Sequence, residues 1–220
     1  MATPKSQRIG IWIIAIVLTI GTLGSFLVMG LSVNNQANDQ AALQKANTEY
    51  QAEVTKRNEK VDIQAKELSS KYYVDFSQYA KSNTSFSADD VKTLVKTDLK
   101  IGDGAEIKSD TDYNAYYIGW NPKGVIFDQS IADGALKSPL AGGNMITGWN
   151  EGVIGMKMGG IRELSIPSKL AYDNVAKSED IPANTPLKFI VMVIPKVAEI
   201  PQVTIPQILL DYYQSQSTSS

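Results

Sequence analysis

Ile9 to Val33 runs for 25 residues without a charged side chain, IGIWIIAIVLTIGTLGSFLVMGLSV. As a helix rising about 1.5 Å per residue it would reach roughly 37 Å, enough to cross a hydrocarbon layer of about 30 Å with some tilt. A cleaved leader has a shorter apolar stretch, about 7–15 residues, and a small-residue cleavage site. No Ala-x-Ala pattern follows this run, and the chain has no cysteine to carry a lipid. The expectation is an uncleaved single-pass anchor that contacts the lipid bilayer through residues 9–33. Lys5 and Arg8 precede the run, and the first cation after it is Lys45. The positive-inside rule then puts residues 1–8 in the cytoplasm and everything after Val33 outside it.

Two missing residue types bound the chemistry open to the rest of the chain, which has no His and no Cys. That excludes thiolate nucleophiles, disulfides, thiolate or imidazole metal sites and any histidine-based triad. No acidic run has the spacing of a calcium loop, so no metal and no cofactor are expected. The net charge of −2 leaves no basic excess for a phosphate-binding face, and nucleic acid is excluded as a partner class.

Residues 34–84 are polar, rich in Gln, Lys, Glu and Ala, and free of Pro and Gly. Helix formers without breakers predict a long helical stalk. Leu43, Tyr50, Val54, Val61 and Leu68 fall on one seam, which Asn47, Arg57 and Gln64 interrupt. A solvated spacer accounts for that polarity better than a coiled coil, with a homodimer through the stalk as the other reading. Ser87-Ala-Asp-Asp90 resembles a capping box and predicts a short amphipathic segment through Val91, Leu94 and Val95. After Leu99 short apolar or alternating runs lie between Gly- and Pro-bearing turns: AEI, YNAYYIGW, GVIFDQS, RELSIP and PLKFIVMVIPKV. Those are strand signals. Asn150–Met158 is the best candidate for one short helix. The fold class is α+β, a sheet of about five strands around that helix, with the domain over residues 85–198. Residues 199–220 form a tail in which Pro201 and Pro206 deny a long helix and the last seven residues are expected to be disordered.

Several blocks in this region match one family in order. Tyr117-Ile-Gly119 fits a Tyr-x-Gly strand end, and Gly124-Val-Ile-Phe127-Asp128-Gln-Ser130 fits Gly-x-x-Phe-Asp-Ser-Ser. Met145-Ile146-Thr-Gly148-Trp149-Asn-Glu151-Gly152-Val153 fits Val-Ile-x-Gly-Trp-x-Glu-Gly-Leu, and Gly155-Met156-Lys-Met-Gly159-Gly160 follows it. Ile166-Pro167, Leu170-Ala171-Tyr172 and Ile181-Pro182-Ala-Asn184-Thr-Pro-Leu187-Lys-Phe189 close the pattern. From about Leu99 to Val197 the chain resembles the FKBP-type peptidyl-prolyl isomerases.

The resemblance implies an antiparallel sheet curled around one short helix, with an apolar pocket between them. It implies catalytic roles for Tyr117, Phe127, Asp128, Ile146, Trp149 and Tyr172, and substrate contacts from Met145, Leu136, Ile181 and Phe189. Trp149 would be the floor under a substrate proline. The Ile146 N–H and the Tyr172 hydroxyl would donate to substrate carbonyls, and Asp128 would sit at the rim. The implied partners are proline-containing polypeptides and, in this family, macrolides of the FK506/rapamycin type. Implied functions are a folding helper that isomerises X–Pro bonds of exported chains or, as the other class, a chaperone-like module that binds proline segments. Isomerisation requires no nucleophile, so the absence of His and Cys is compatible with it. The sequence departs from the family at Asp173, where glycine is common, and in the polar loop from Asn174 to Asp180. The second aromatic wall is also absent, with Leu136 and Leu140 as its nearest apolar substitutes, which weakens the macrolide expectation.

Overall fold

A computed structural model describes residues 36–217. The expected anchor at 9–33, the N-terminal residues 1–8 and the last three residues lie outside that range. Among the described residues no helix is long and apolar enough to cross a membrane. The described chain divides into two compact units, residues 62–199 and the flanking residues 36–61 with 200–217.

The breaker-free segment forms one helix, α1, Gln36–Ser77. Within the larger unit the strands are β1 (Val95–Lys100), β2 (Tyr113–Trp120), β3 (Ile126–Gln129), β4 (Ile131–Ala132), β5 (Ala135–Leu136), β6 (Leu140–Ala141), β7 (Ile161–Ile166) and β8 (Leu187–Pro195). One helix, α2 (Thr147–Val153), interrupts them. The main sheet is antiparallel in the order β1-β7-β8-β2-β3, with β6 also on β2, while β4 and β5 pair separately.

Period-two alternation explains how β2 and β8 can be buried almost throughout. Odd-numbered residues Tyr113, Ala115, Leu187, Phe189, Val191 and Val193 join α2 in one core with Trp149 and Val153. Even-numbered residues Tyr116, Ile118, Trp120, Ile190, Met192 and Ile194 form a second core. Its cover is the C-terminal end of α1, where Phe76 is fully buried and Leu68, Tyr72 and Tyr73 pack beside it. The Ser69 hydroxyl accepts a hydrogen bond from the Leu136 N–H at 2.9 Å. The larger unit therefore begins inside the helix, and the last turns of the expected spacer are core. Burying a side chain such as Phe76 stabilises by roughly 1.5–3 kcal/mol.

Four of the expected strand runs are β2, β3, β7 and β8. The fifth, AEI, makes only an isolated bridge between Glu106 and Lys157. The expected amphipathic segment reduces to a single 3-10 turn at Ala88–Asp90, with no side-chain cap from Ser87. β1 comes next, exposed along its whole length and without a burial pattern, and pairing with β7 specifies it. The short helix starts earlier and ends sooner than Asn150–Met158, because Gly155 adopts a left-handed φ of 83° that terminates it before Gly159.

In the smaller unit the tail forms a helix, α3, Gln207–Ser217. The prolines do exclude a long helix, but Pro206 opens a short one: its carbonyl accepts hydrogen bonds from Leu209 and Leu210. The helix includes Gln214–Ser217, which were expected to be disordered. Leu209 is buried in this unit, as is Leu43 on α1.

Candidate active site

β2 and β8 lie side by side in register, with Gly119 opposite Phe189. A Cβ at Gly119 would fall 2.6 Å from the Phe189 ring and 2.7 Å from the Phe127 ring. The missing side chain lets those rings meet edge to face at 5.5 Å. The Phe189 ring meets Trp149 at 5.4 Å, and Trp149 meets Tyr117 at 5.7 Å, again edge to face. The result is a continuous chain of four aromatics, Phe127–Phe189–Trp149–Tyr117, each pair in the geometry that ring quadrupoles favour.

Trp149 sits in the first turn of α2 and is fully buried. Gly148 lies inside this helix. Its role is close approach: a Cβ there would lie 2.3 Å from Ile166 Cγ2, and one at Gly152 would lie 2.7 Å from Leu164. The two glycines let α2 lie flat on β7. The indole N–H donates to the Tyr113 hydroxyl at 3.1 Å. Tyr113 was absent from the predicted site, although its place in the odd-numbered row of YNAYYIGW could have indicated it.

Arg162 was also missed. Its guanidinium is buried on β7, donates to the Gly152 carbonyl at 2.8 Å and the Ile154 carbonyl at 3.2 Å, and pairs with both Asp98 oxygens at 2.6 and 3.2 Å. It therefore holds the C-terminal end of the helix that carries Trp149, where a cation is also favoured by the helix dipole. A lone Arg in IRELSI gave no sequence signal for this.

At the rim, the Tyr117 hydroxyl donates to Asp128 Oδ2 at 2.5 Å, and Asp128 Oδ1 accepts from the Gln129 N–H at 2.8 Å. Ser130 fixes β3 against this pair: its N–H donates to the Tyr117 carbonyl and its hydroxyl accepts from the Tyr117 N–H. Burial pushes the Tyr117 hydroxyl well above the usual tyrosine range, and the adjacent Asp128 carboxylate pushes it further. Burial and, secondarily, the same carboxylate raise Tyr172. Both hydroxyls therefore stay protonated at neutral pH.

Ile146 caps α2 in an extended conformation, and its carbonyl accepts from the Trp149 and Asn150 N–H groups. Among the described residues the Ile146 N–H has no acceptor, and neither does the Tyr172 hydroxyl. Two donors thus stand unengaged beside an aromatic floor. Met145, Ile146 and Tyr172 are half-buried against the same core, which also contains Ile181. The Lys177 ammonium lies 4.9 Å from the centre of the Tyr172 ring.

Nine of the ten predicted site residues converge here. Leu136 does not: it is buried in the second core beside Phe76, because it belongs to the β4–β5 hairpin under α1. Leu140 pairs instead with Ala115 at the edge of β2. Asp173 adopts a left-handed φ of 48°, the conformation that glycine provides, and aspartate is one of the few residues that tolerate it. Among the described residues no three acidic side chains converge as a metal site would need.

The family model for FKBP-type peptidyl-prolyl cis-trans isomerases matches residues 103–194. FK506-binding protein 4 of Rhizopus delemar is 38% identical over 96 residues, 44% of this chain and 25% of that protein. The chain thus spans about a quarter of the length of such fungal relatives. A solved peptidyl-prolyl cis-trans isomerase from Pseudomonas syringae pv. tomato aligns with a TM-score of 0.41 at 30% identity, covering 46% of this chain and 73% of that one. The FK506-binding protein of Neisseria meningitidis serogroup A is 37% identical over 98 residues, 44% of this chain and 90% of its own length. A match at 37% identity across nine-tenths of that relative makes the chain a member of the FKBP-type peptidyl-prolyl cis-trans isomerase family.

Proposed function

We propose that the chain is a membrane-tethered peptidyl-prolyl cis–trans isomerase that assists polypeptides outside the cytoplasm. The observation that carries the reading is the four-ring aromatic floor with the unengaged Ile146 N–H at its mouth. A planar X–Pro amide resists rotation with a barrier of about 18–20 kcal/mol. Twisting the bond uncouples nitrogen from the carbonyl and reduces charge separation. A dry apolar site therefore favours the twisted amide over the planar one.

Trp149 and Phe189 grip the proline ring, and Phe127 and Tyr117 complete its walls. The Ile146 N–H and the Tyr172 hydroxyl hold carbonyls of the substrate backbone and fix which bond lies over the floor. Tyr117 orients Asp128 at the rim. Each 1.36 kcal/mol of preference for the twisted state is worth about tenfold in rate. The uncharged run at 9–33 with Lys5 and Arg8 before it supports the tether and its orientation.

The test is the cis-to-trans relaxation of an X–Pro peptide in the presence of residues 62–199. Acceleration over buffer is expected. Peptide binding without acceleration would replace the enzyme by a proline-binding module, and neither binding nor acceleration would sink both readings.

A further inference from the structure

The seam of α1 plays no part in the pocket. In the structure it is covered in cis. Arg57 Nε donates to the Pro201 carbonyl at 3.1 Å, and two turns on, Gln64 Nε2 donates to the Ala198 carbonyl at 2.9 Å. These are two of the polar residues that spoil the seam as a dimer interface. Further along, Tyr213 of α3 is raised above the usual tyrosine range by burial and by the neighbouring Tyr212 and Tyr50 hydroxyls, which puts α3 beside Tyr50. Leu209 on the tail and Leu43 on α1 are buried.

We infer that the C-terminal segment, residues 198–213, is the resident partner of the α1 seam and holds it closed against a second helix. Charge decides between the two occupants. In a parallel in-register dimer each seam residue faces its own copy, so Arg57 would meet Arg57. Against the tail, the same guanidinium meets a carbonyl oxygen. Tethering adds to this preference: a segment on the same chain is present at an effective concentration on the order of millimolar, far above that of free copies in dilute solution. Asn47 is the counter-argument. Its side-chain oxygen is buried without a donor among the described residues, and a second copy could supply one. That single bond does not offset two facing guanidinium groups. Arg57 and Gln64 read backbone carbonyls of the extended stretch before α3, and α3 adds the buried side chain of Leu209.

The absence of cysteine makes the test direct. Val54 lies on the seam between Tyr50 and Arg57, so Val54→Cys in the full chain, held in detergent micelles, places a single thiol under the tail. With the tail native, the thiol should react slowly with a maleimide and give no interchain disulfide on oxidation. Leu209→Asp should release the tail and speed labelling by about tenfold or more, since labelling of a covered thiol tracks the population of the opened form. Arg57→Ala is a second release variant that leaves α3 untouched. An interchain disulfide with the native tail would assign the seam to a second copy and overturn the inference. Equal labelling rates with and without the release substitutions would overturn it as well.

Discussion

Tyr116 and Tyr117 are neighbours on β2 and point to opposite faces of one sheet. Burial is the main cause raising both hydroxyls above the usual tyrosine range. The Tyr117 hydroxyl donates to Asp128 at the rim of a pocket, whereas the Tyr116 hydroxyl is buried with no partner among the described residues. Each face also has a fully buried tryptophan whose indole N–H is satisfied, Trp149 by Tyr113 and Trp120 by the Thr84 carbonyl. Both faces are rich in aromatics, and neither composition nor burial separates a binding floor from plain packing. The difference lies in what covers them. On one face α1 contributes Phe76 and closes the core. On the other a single two-turn helix leaves unengaged donors at its edge.

The contrast between the faces breaks most sharply at Phe76. Phe76→Ala should cost about 3–5 kcal/mol in chemical unfolding, since a large buried side chain leaves a cavity. The folded fraction should keep its isomerase rate. A fragment starting at residue 85 should fail to give a cooperative thermal transition, whereas residues 62–199 should melt as one unit. Arg162→Ala comes next, at about 3 kcal/mol of stability, because Asp98 and two helix carbonyls lose a buried charged partner. In contrast to Phe76→Ala, it should also lower turnover by loosening the helix under Trp149. Equal activity losses in the two variants would mean that the faces are not functionally distinct.

Asp128→Ala acts on the open face alone. We expect kcat/KM to fall roughly 10- to 100-fold, about 1.4–2.7 kcal/mol, with little change in Tm. Circular dichroism and the relaxation assay together check it. The pH profile gives a smaller effect. The folded-state values of Tyr117 and Tyr172 lie above the ordinary value of 10.0, so the folded state favours the protonated hydroxyls. Their contribution to stability is full below about pH 10 and is lost as pH rises through the folded values. Rates should therefore hold from pH 7 to pH 9, and stability should fall above pH 10. A rate that halves between pH 7 and pH 9 would contradict this. The smallest effect belongs to Tyr116→Phe. Removing a hydroxyl that has no partner should leave stability unchanged or raise it by up to about 1 kcal/mol, with no change in rate. A clear loss of stability would show that the hydroxyl has a partner in solution.

Local chemistry was enough to read the helix from 36 onward and strands β2, β3, β7 and β8, because breaker-free polar sequence and strong period-two runs each specify one backbone. It was not enough for β1, whose six residues are all exposed and whose strand conformation comes from pairing with β7. Of the ten residues that the resemblance named, nine lie together around Trp149 and Tyr117. Leu136 was misplaced because its position in the chain, between Asp128 and Trp149, does not reveal that its hairpin folds under α1. Arg162 went unseen because its contacts to Asp98 and to the end of α2 are encoded by no local pattern; the inward row that holds Tyr113 was legible, but its bond to Trp149 was not.

Read alone, the residues specify an enzyme-compatible domain without thiol or histidine chemistry, its aromatic residues, and the glycines that bring them together. Residue type and spacing are sufficient for that, since they fix propensity, sterics and chemical range. Only the folded chain shows which side of the sheet stays open and which carbonyls stand opposite Arg57 and Gln64. Both outcomes rest on contacts between residues far apart in the chain. A polar residue such as Arg57 looks like a defect along its own helix until the distant Pro201 carbonyl stands opposite it.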